Sequence, residues 1–257
     1  MDSPALLLTT LLLAFLALMA WYWFIRRRQV RPLTVEQRSL LEEEVAFYRR
    51  LSKTDKKRFE QSIAQFLEEI TITGVETEVT QADRLLVAAS AVIPLFGFPG
   101  WRYRNLNEVL LYPNTFDEDY QVKAAQRDII GMVGSGAMNR MMILSLPALR
   151  DSFAHPERRQ NVGIHEFIHL LDKADGATDG MPEVLIPQEY VMPWLKLMHH
   201  EIAEIREEDS DINPYGATNE AEFLSVVAEY FFSQPEKFEH NHPELYAMMS
   251  RIFRQEL

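Results

Sequence analysis

The sequence predicts an α+β fold, mostly helical with a small sheet, preceded by one transmembrane helix. Three observations predict it. Apolar residues recur at helical spacing along most of the chain, two short extended runs interrupt that pattern, and residues 5–25 form an almost unbroken apolar stretch. With 257 residues, 47% of them hydrophobic, the chain suffices for a membrane segment and one sizeable domain. Cysteine is absent, which removes disulfides and thiolate ligands from consideration.

As a helix, the stretch from Ala5 to Ile25 would span roughly 30 Å, the thickness of a bilayer's hydrocarbon core. Trp21, Tyr22 and Trp23 lie at its end beside Arg26, Arg27, Arg28 and Arg31, whereas only Asp2 precedes it. That charge bias predicts a single-pass protein of the inner (cytoplasmic) membrane with its folded part in the cytoplasm. The expected division is 1–31 as anchor and basic juxtamembrane segment, and 32–257 as one domain. Beyond residue 31 there remain 22 basic and 37 acidic residues, a net charge of -15. So acidic a domain argues against a nucleic-acid partner. The densest acidic cluster, Glu201, Glu204, Glu207, Glu208, Asp209 and Asp211, reads as a solvated helix end and loop.

Within the domain, apolar positions Leu40, Leu41, Val45, Tyr48 and Leu51 predict a helix from Glu36 to Leu51. Ser52 or Thr54 caps a second, whose apolar face is Phe59, Ile63, Phe66, Leu67 and Ile70. Thr71 to Thr80 alternates and is β-branched, with Gly74 as a break, so it reads as a short strand or extended loop. Asp83 to Leu95 reads as an Ala-rich buried helix, with Pro94 and the turn Gly97 to Gly100 marking its end. Extended runs are expected at Glu108 to Tyr112 and Met141 to Leu146, joined through a loop at Gly131 to Gly136. The second run closely precedes the segment described next, and reads equally as an edge strand on which a peptide could pair or as an ordinary core strand. Later helices are expected around Glu189 to Glu207 and, capped by Thr218 or Asn219, from there to Pro235.

Between them lies Asn161-Val-Gly-Ile-His165-Glu166-Phe-Ile-His169-Leu-Leu-Asp172, a helical segment with the pattern His-Glu-x-x-His. Four apart on a helix, His165 and His169 share a face, and both imidazoles can reach one cation. With zinc bound, a carboxylate placed as Glu166 can take a proton from water and return it to a leaving amine, the chemistry of a metallopeptidase. Two histidines hold zinc incompletely. Glu222 and Glu229, seven apart on the last long helix, are candidate third ligands, and Asp175 has a competing spacing. Asp172 is a natural acceptor for an imidazole N–H. His155, His199, His200, His240 and His242 fall outside any ligand spacing and read as surface or loop residues.

The set Asn161-Val-x-x-His-Glu-Phe-x-His-x-Leu-Asp172, Asp179-Gly-x-Pro182, Asn219-x-x-Glu222-Phe and Ser-Val-Val-x-Glu229-Tyr-Phe-Phe-x-x-Pro235 resembles the Mlc titration factor A family of zinc metallopeptidases. The likeness runs from about residue 36 to the C-terminus and leaves the apolar helix outside it. It implies a zincin-like, gluzincin-like domain with Zn2+ on His165, His169 and Glu222, and Glu229 behind them. The run Tyr215-Gly-x-Thr-Asn-Glu-Ala-Glu222-Phe also resembles the lethal-factor type of zincin, which implies that Tyr215 faces the metal and assists the oxyanion, with Glu166 as general base. Leu146 stands where the resemblance leads one to expect Trp, which bears on substrate preference. Aminopeptidase-like action on peptide or protein substrates is implied, as is binding to a transcriptional repressor. The rival expectation is a regulatory module that sequesters such a repressor with little or no catalysis.

Overall fold

The computed structural model describes residues 9, 11–19, 21, 30–114, 131–133, 140–182 and 184–257. The chain divides into two compact units, Met1–Arg31 and Pro32–Leu257. In the first, residues 9, 11–19 and 21 are helical, and Leu11, Leu12, Leu13, Phe15, Leu16 and Leu18 expose more than half of their surface. Among the described residues no helix is long and apolar enough to cross a membrane. The remainder of the predicted span, and residues 26–28, lie outside the described residues.

The second unit is mostly helical with a small mixed sheet. Helix α1 (Val35–Glu44) opens on a capping box between Thr34 and Gln37. The single helix expected from Glu36 to Leu51 is broken at Val45, which is extended (φ -111°, ψ 98°) and buried. Arg49 stabilises the break, because its guanidinium takes the carbonyls of Glu42 and Glu43 that end α1. Helix α2 (Ala46–Arg50) is therefore a separate short piece, and α3 (Lys53–Glu69) starts on Ser52, whose hydroxyl accepts the Asp55 N–H.

Strand β1 (Thr71–Gly74) pairs in parallel with β2 (Glu108–Tyr112), and β2 in parallel with β4 (Met141–Ser145). A short β3 (Gly131–Val133) lies antiparallel to β4, so the order is β1-β2-β4-β3. Two expectations need correcting. The run at Met141 is an interior strand, so of its two readings the core strand holds and the edge does not; the edges are β1 and β3, the latter in a tract that reads as loop because three residues beside glycines carry no periodicity. The run also stops at Ser145, whose hydroxyl accepts the Ala148 N–H and starts α5 (Leu146–Ala154), a helix hidden from the pattern by Pro147.

The parallel β1–β2 pair needs a crossover, supplied by α4 (Gln81–Leu95). That helix ends at Leu95 as expected, with Pro94 inside its last turn rather than beyond it. Only the last turn is affected, and Gln255 donates its amide to the Ile93 and Pro94 carbonyls left there. Helices α6 (Val162–Asp172), α7 (Val191–Arg206) and α8 (Glu220–Ser233) follow, and α6 packs against both α4 and α8. Beyond Pro235, where the sequence reading stopped, lie α9 (Pro235–Asn241) and α10 (Pro243–Phe253). Each begins with a proline, Pro235 being the one expected to end the helix before it, since Pro suits the first helical position. Helix α10 buries Phe253 against Phe232, ring centroids 5.0 Å apart.

Candidate metal centre

Helix α6 is anchored at its start. The Asn161 side chain accepts the Ile164 N–H at 2.9 Å, while its own backbone N–H donates to Glu229 on α8. Ile164, Phe167, Ile168, Leu170 and Leu171 are buried, with Phe167 wedged between the rings of Phe66 and Tyr103. Gly163 permits the closest approach to α4: a Cβ there would lie 2.7 Å from that of Ser90. These constraints leave one narrow face for His165, Glu166 and His169.

Helix α8 presents the opposing face. Of the two candidate caps, Asn219 serves, its side chain accepting the Glu222 N–H at 2.9 Å. Glu222 Oε2 then lies 3.0 Å from His165 Nε2 and 3.4 Å from His169 Nε2, and the two Nε2 atoms are 3.0 Å apart. Among the described residues this trio forms the group able to hold a metal. A zinc ion bonded at its usual distance to tetrahedrally disposed N and O donors separates them by about 3.3 Å. The triangle matches that edge, and two imidazoles with one carboxylate are an ordinary donor set for zinc. Asp175 sits elsewhere, in an exposed turn, its carboxylate accepting the Ala177 N–H.

Glu229, 6% exposed, bonds the other nitrogen of His165, Oε1 to Nδ1 at 2.7 Å. That carboxylate favours a proton at Nδ1, so it is the Nε2 proton that would have to leave for a lone pair to face the shared centre. His169 Nδ1 finds Ser225 Oγ at 3.3 Å rather than Asp172. Asp172 turns away; its Oδ2 accepts the Gly180 N–H, and its Oδ1 is buried with no hydrogen-bond partner. Gly180 has φ +73° and lies close against the start of α8, where a Cβ would clash with the Glu220 carbonyl oxygen.

The charges follow from this packing. Burial favours neutral His165, but the Glu229 and Glu222 carboxylates outweigh it and raise its pKa well above the ordinary value. Burial likewise works against ionised Glu222, yet hydrogen bonds from His165 and His169 hold it at about 2. Glu166, 6% exposed, is pushed upward chiefly by burial. Gly131 of β3 presses on it: a Cβ there would stand 2.6 Å from Glu166 Cγ. Tyr215 is 52% exposed, its ring centroid 6.1 Å from that of His165. Partial burial, then the Glu222 and Glu166 carboxylates, raise its pKa and keep its hydroxyl protonated.

Beside these groups opens a cavity of 470 Å³, lined by His165, Glu166, Tyr215, Gly131, Asn213 and Val226 among others. Two outlying predictions fail. His242 is not a loose surface histidine but lies between Glu201 and Asp211, with Nε2 2.8 Å from Asp211 Oδ1 and Nδ1 3.3 Å from Glu201 Oε2. Asp211 is thus no solvated loop carboxylate. Gly131 and Ser225 were also missed. Ser225, three residues after Glu222 on the same helix face, was open to discovery by spacing, whereas Gly131 needs the sheet.

The model of the glucose-regulated metallo-peptidase M90 family matches residues 21–254. An uncharacterized protein of Synechocystis sp. is 28% identical, over 97% of this chain and 96% of its own. Mlc titration factor A of Pectobacterium atrosepticum is 27% identical, over 92% of this chain and 91% of its own. The protein of that name from Klebsiella pneumoniae is 28% identical, over 80% and 81%.

Proposed function

This chain belongs to the glucose-regulated metallo-peptidase M90 family, and from that premise we propose that its second unit is a zinc-dependent peptidase with aminopeptidase-like action. The observation that carries the reading is the triangle of His165 Nε2, His169 Nε2 and Glu222 Oε2, 3.0–3.4 Å on a side, with buried Glu166 in the next helical position. When bound there, zinc would supply Lewis acidity, polarising the scissile carbonyl and lowering the pKa of water.

The remaining work falls to the chain's own groups. Glu229 fixes the His165 ring and its tautomer. Glu166 takes a proton from the attacking water and delivers it to the leaving amine; its burial raises its proton affinity and suits it to hold that proton between the two steps. The Tyr215 hydroxyl donates to the oxygen on which negative charge develops. Substrate lies in the 470 Å³ cavity beside them.

We further propose that residues 5–25 tether the domain to the inner membrane from the cytoplasmic side, a reading supported by the exposed apolar surface of residues 11–19. A second reading is favoured by the relatives' name, Mlc titration factor A: the domain sequesters a transcriptional repressor and cleaves little. Turnover of unblocked and N-acetylated peptides, with zinc content measured on the same samples of wild type and Glu166→Ala, separates the two. One zinc in both proteins, with cleavage of unblocked peptides by wild type alone, supports the peptidase. Full zinc and no cleavage by either favours the sequestering module.

A further inference from the structure

Asp211 gathers more partners than any role as a loop residue requires. Its Oδ2 accepts from Arg159 Nη1, the Tyr230 hydroxyl and Asn241 Nδ2, each at 2.9 Å, with Lys237 Nζ at 3.6 Å. Its Oδ1 faces His242 Nε2 at 2.8 Å, and its backbone carbonyl accepts a second bond from Arg159 at 2.6 Å. Burial would raise its pKa, but bonds from His242, Tyr230, Asn241 and then Arg159 hold it at about 2. The carboxylate is therefore a fixed anion to which three segments are tied.

Those segments lead to the candidate site from two sides. Arg159, in the left-handed region at φ 59°, lies two residues before the Asn161 cap of the metal helix. Asp211 itself lies two residues before Asn213, whose side chain accepts the Tyr215 N–H at 3.0 Å and opens the short turn carrying Tyr215. Between these strips is a cavity of 360 Å³, lined by Arg159, Gln160, Asp211 and Asn213 among others. Gln160, Asn213 and Val226 also line the cavity beside His165 and Glu166, so the two cavities adjoin and share these walls. The Arg159–Asp211 ion pair lines the second of them.

We infer that Asp211 is a positioning residue: by pinning the Asn213–Tyr215 turn to the Arg159–Asn161 entry of the metal helix, it sets the spacing of the walls that the two cavities share and the place of the Tyr215 hydroxyl. The inference rests on the peptidase reading for its kinetic consequence but not for its structural one. Misplacing a group by about 1 Å in such a site can cost up to a hundredfold in rate.

The experiment uses the full chain as wild type, Asp211→Asn and Asp211→Ala, each alone and with Tyr215→Phe. Zinc content, kcat and KM on an unblocked peptide are measured, together with amide hydrogen exchange by mass spectrometry. Asp211→Asn is expected to lower kcat about tenfold with zinc retained, and to add less than about twofold once Tyr215 is already Phe, because groups acting through one another are not additive. Exchange over residues 207–218 rises about tenfold while that of α3 is unchanged. Multiplicative loss of kcat in the double variant, or unaltered exchange over 207–218, overturns the inference. Should no variant cleave peptides, the peptidase reading fails while the exchange result still decides the place of Asp211. If Asp211→Ala does not fold, the isosteric Asn variant carries the test.

Discussion

Replacing Gly163 by Ala tests whether the spacing of α4 and α6 is set where they touch. On propensity alone the change should stabilise a helix by about 1 kcal/mol. The contact says otherwise. The added methyl would stand 2.7 Å from Ser90 Cβ and 3.1 Å from Leu149 Cδ1, and Ser90 is wholly buried with its hydroxyl on the Leu86 carbonyl. Ordinary carbon–carbon contact begins roughly 1 Å further out, so the helices must part by a comparable amount, at a cost of about 1–3 kcal/mol for overpacking and more where nothing can yield. We expect net destabilisation of about 2 kcal/mol for Gly163→Ala and about 1 kcal/mol for Ser90→Gly, from lost propensity and packing. The double variant exchanges the small residue across the interface, and should lose about 1 rather than 3 kcal/mol, a coupling of about 2. Urea unfolding followed by tryptophan fluorescence, in excess EDTA to silence metal linkage, measures each term. Because His165 lies two residues on, zinc affinity should weaken in the Gly163→Ala variant and recover in the double. A Gly163→Ala protein as stable as wild type, or a coupling below about 0.5 kcal/mol, would refute the close-contact account.

Three further outcomes are expected. Asp172→Asn keeps an acceptor for the Gly180 N–H and removes a charge that the fold disfavours; because burial raises the Asp172 pKa to about 6, that cost is absent below about pH 4, grows between 4 and 6 and is complete above. The variant should gain up to about 3 kcal/mol at pH 7.5 and nothing at pH 4, read as the difference of two urea curves; equal effects at both would exclude the charge as cause. His242 is raised chiefly by its bond to Glu201 and then Asp211, so its stabilisation is full below its ordinary 6.5 and disappears as pH rises through the folded value, while that of Asp211 is full above about 4 and disappears toward 2. The stability gap between wild type and His242→Gln should therefore shrink from pH 6 to 9 in thermal melts, and a constant gap would contradict it. Glu229→Gln should cost about 10–100-fold in zinc affinity by competition with a chromophoric chelator, since the His165 ring loses its anionic acceptor; unaltered affinity would mean the ring is held by packing alone.

Much of this arrangement was readable in the sequence because helical period and metal spacing are local signals. His165, Glu166 and His169 fall on one face by the geometry of a single helix, and Glu222 with Glu229 by that of another. What stayed hidden depends on elements distant in the chain. Whether Asp172 serves an imidazole or a loop was decided by Gly180, a residue packed so close to the Glu220 carbonyl of a later helix that a side chain would not fit. The short β3 carries no pattern and exists only because β4 lies beside it. His242 and Asp211 looked like solvent-facing residues because polar side chains carry no periodic mark of burial; Arg159, Tyr230 and Asn241 converge on Asp211 from elsewhere in the chain.

Glu229 spends its two oxygens on different tasks, one on the backbone N–H that begins the metal helix and the other on the ring of His165, a turn further along. The starting point of that helix and the aim of its first imidazole are therefore referenced to one rigid mark on the neighbouring helix. A slip of one residue in α6 would break both bonds together, so a wrong register forfeits the ligand geometry as well as the cap. The same few atoms that would serve chemistry also act as a proofreader of folding, and a site transplanted without them would inherit the ligands but not the means of aligning them.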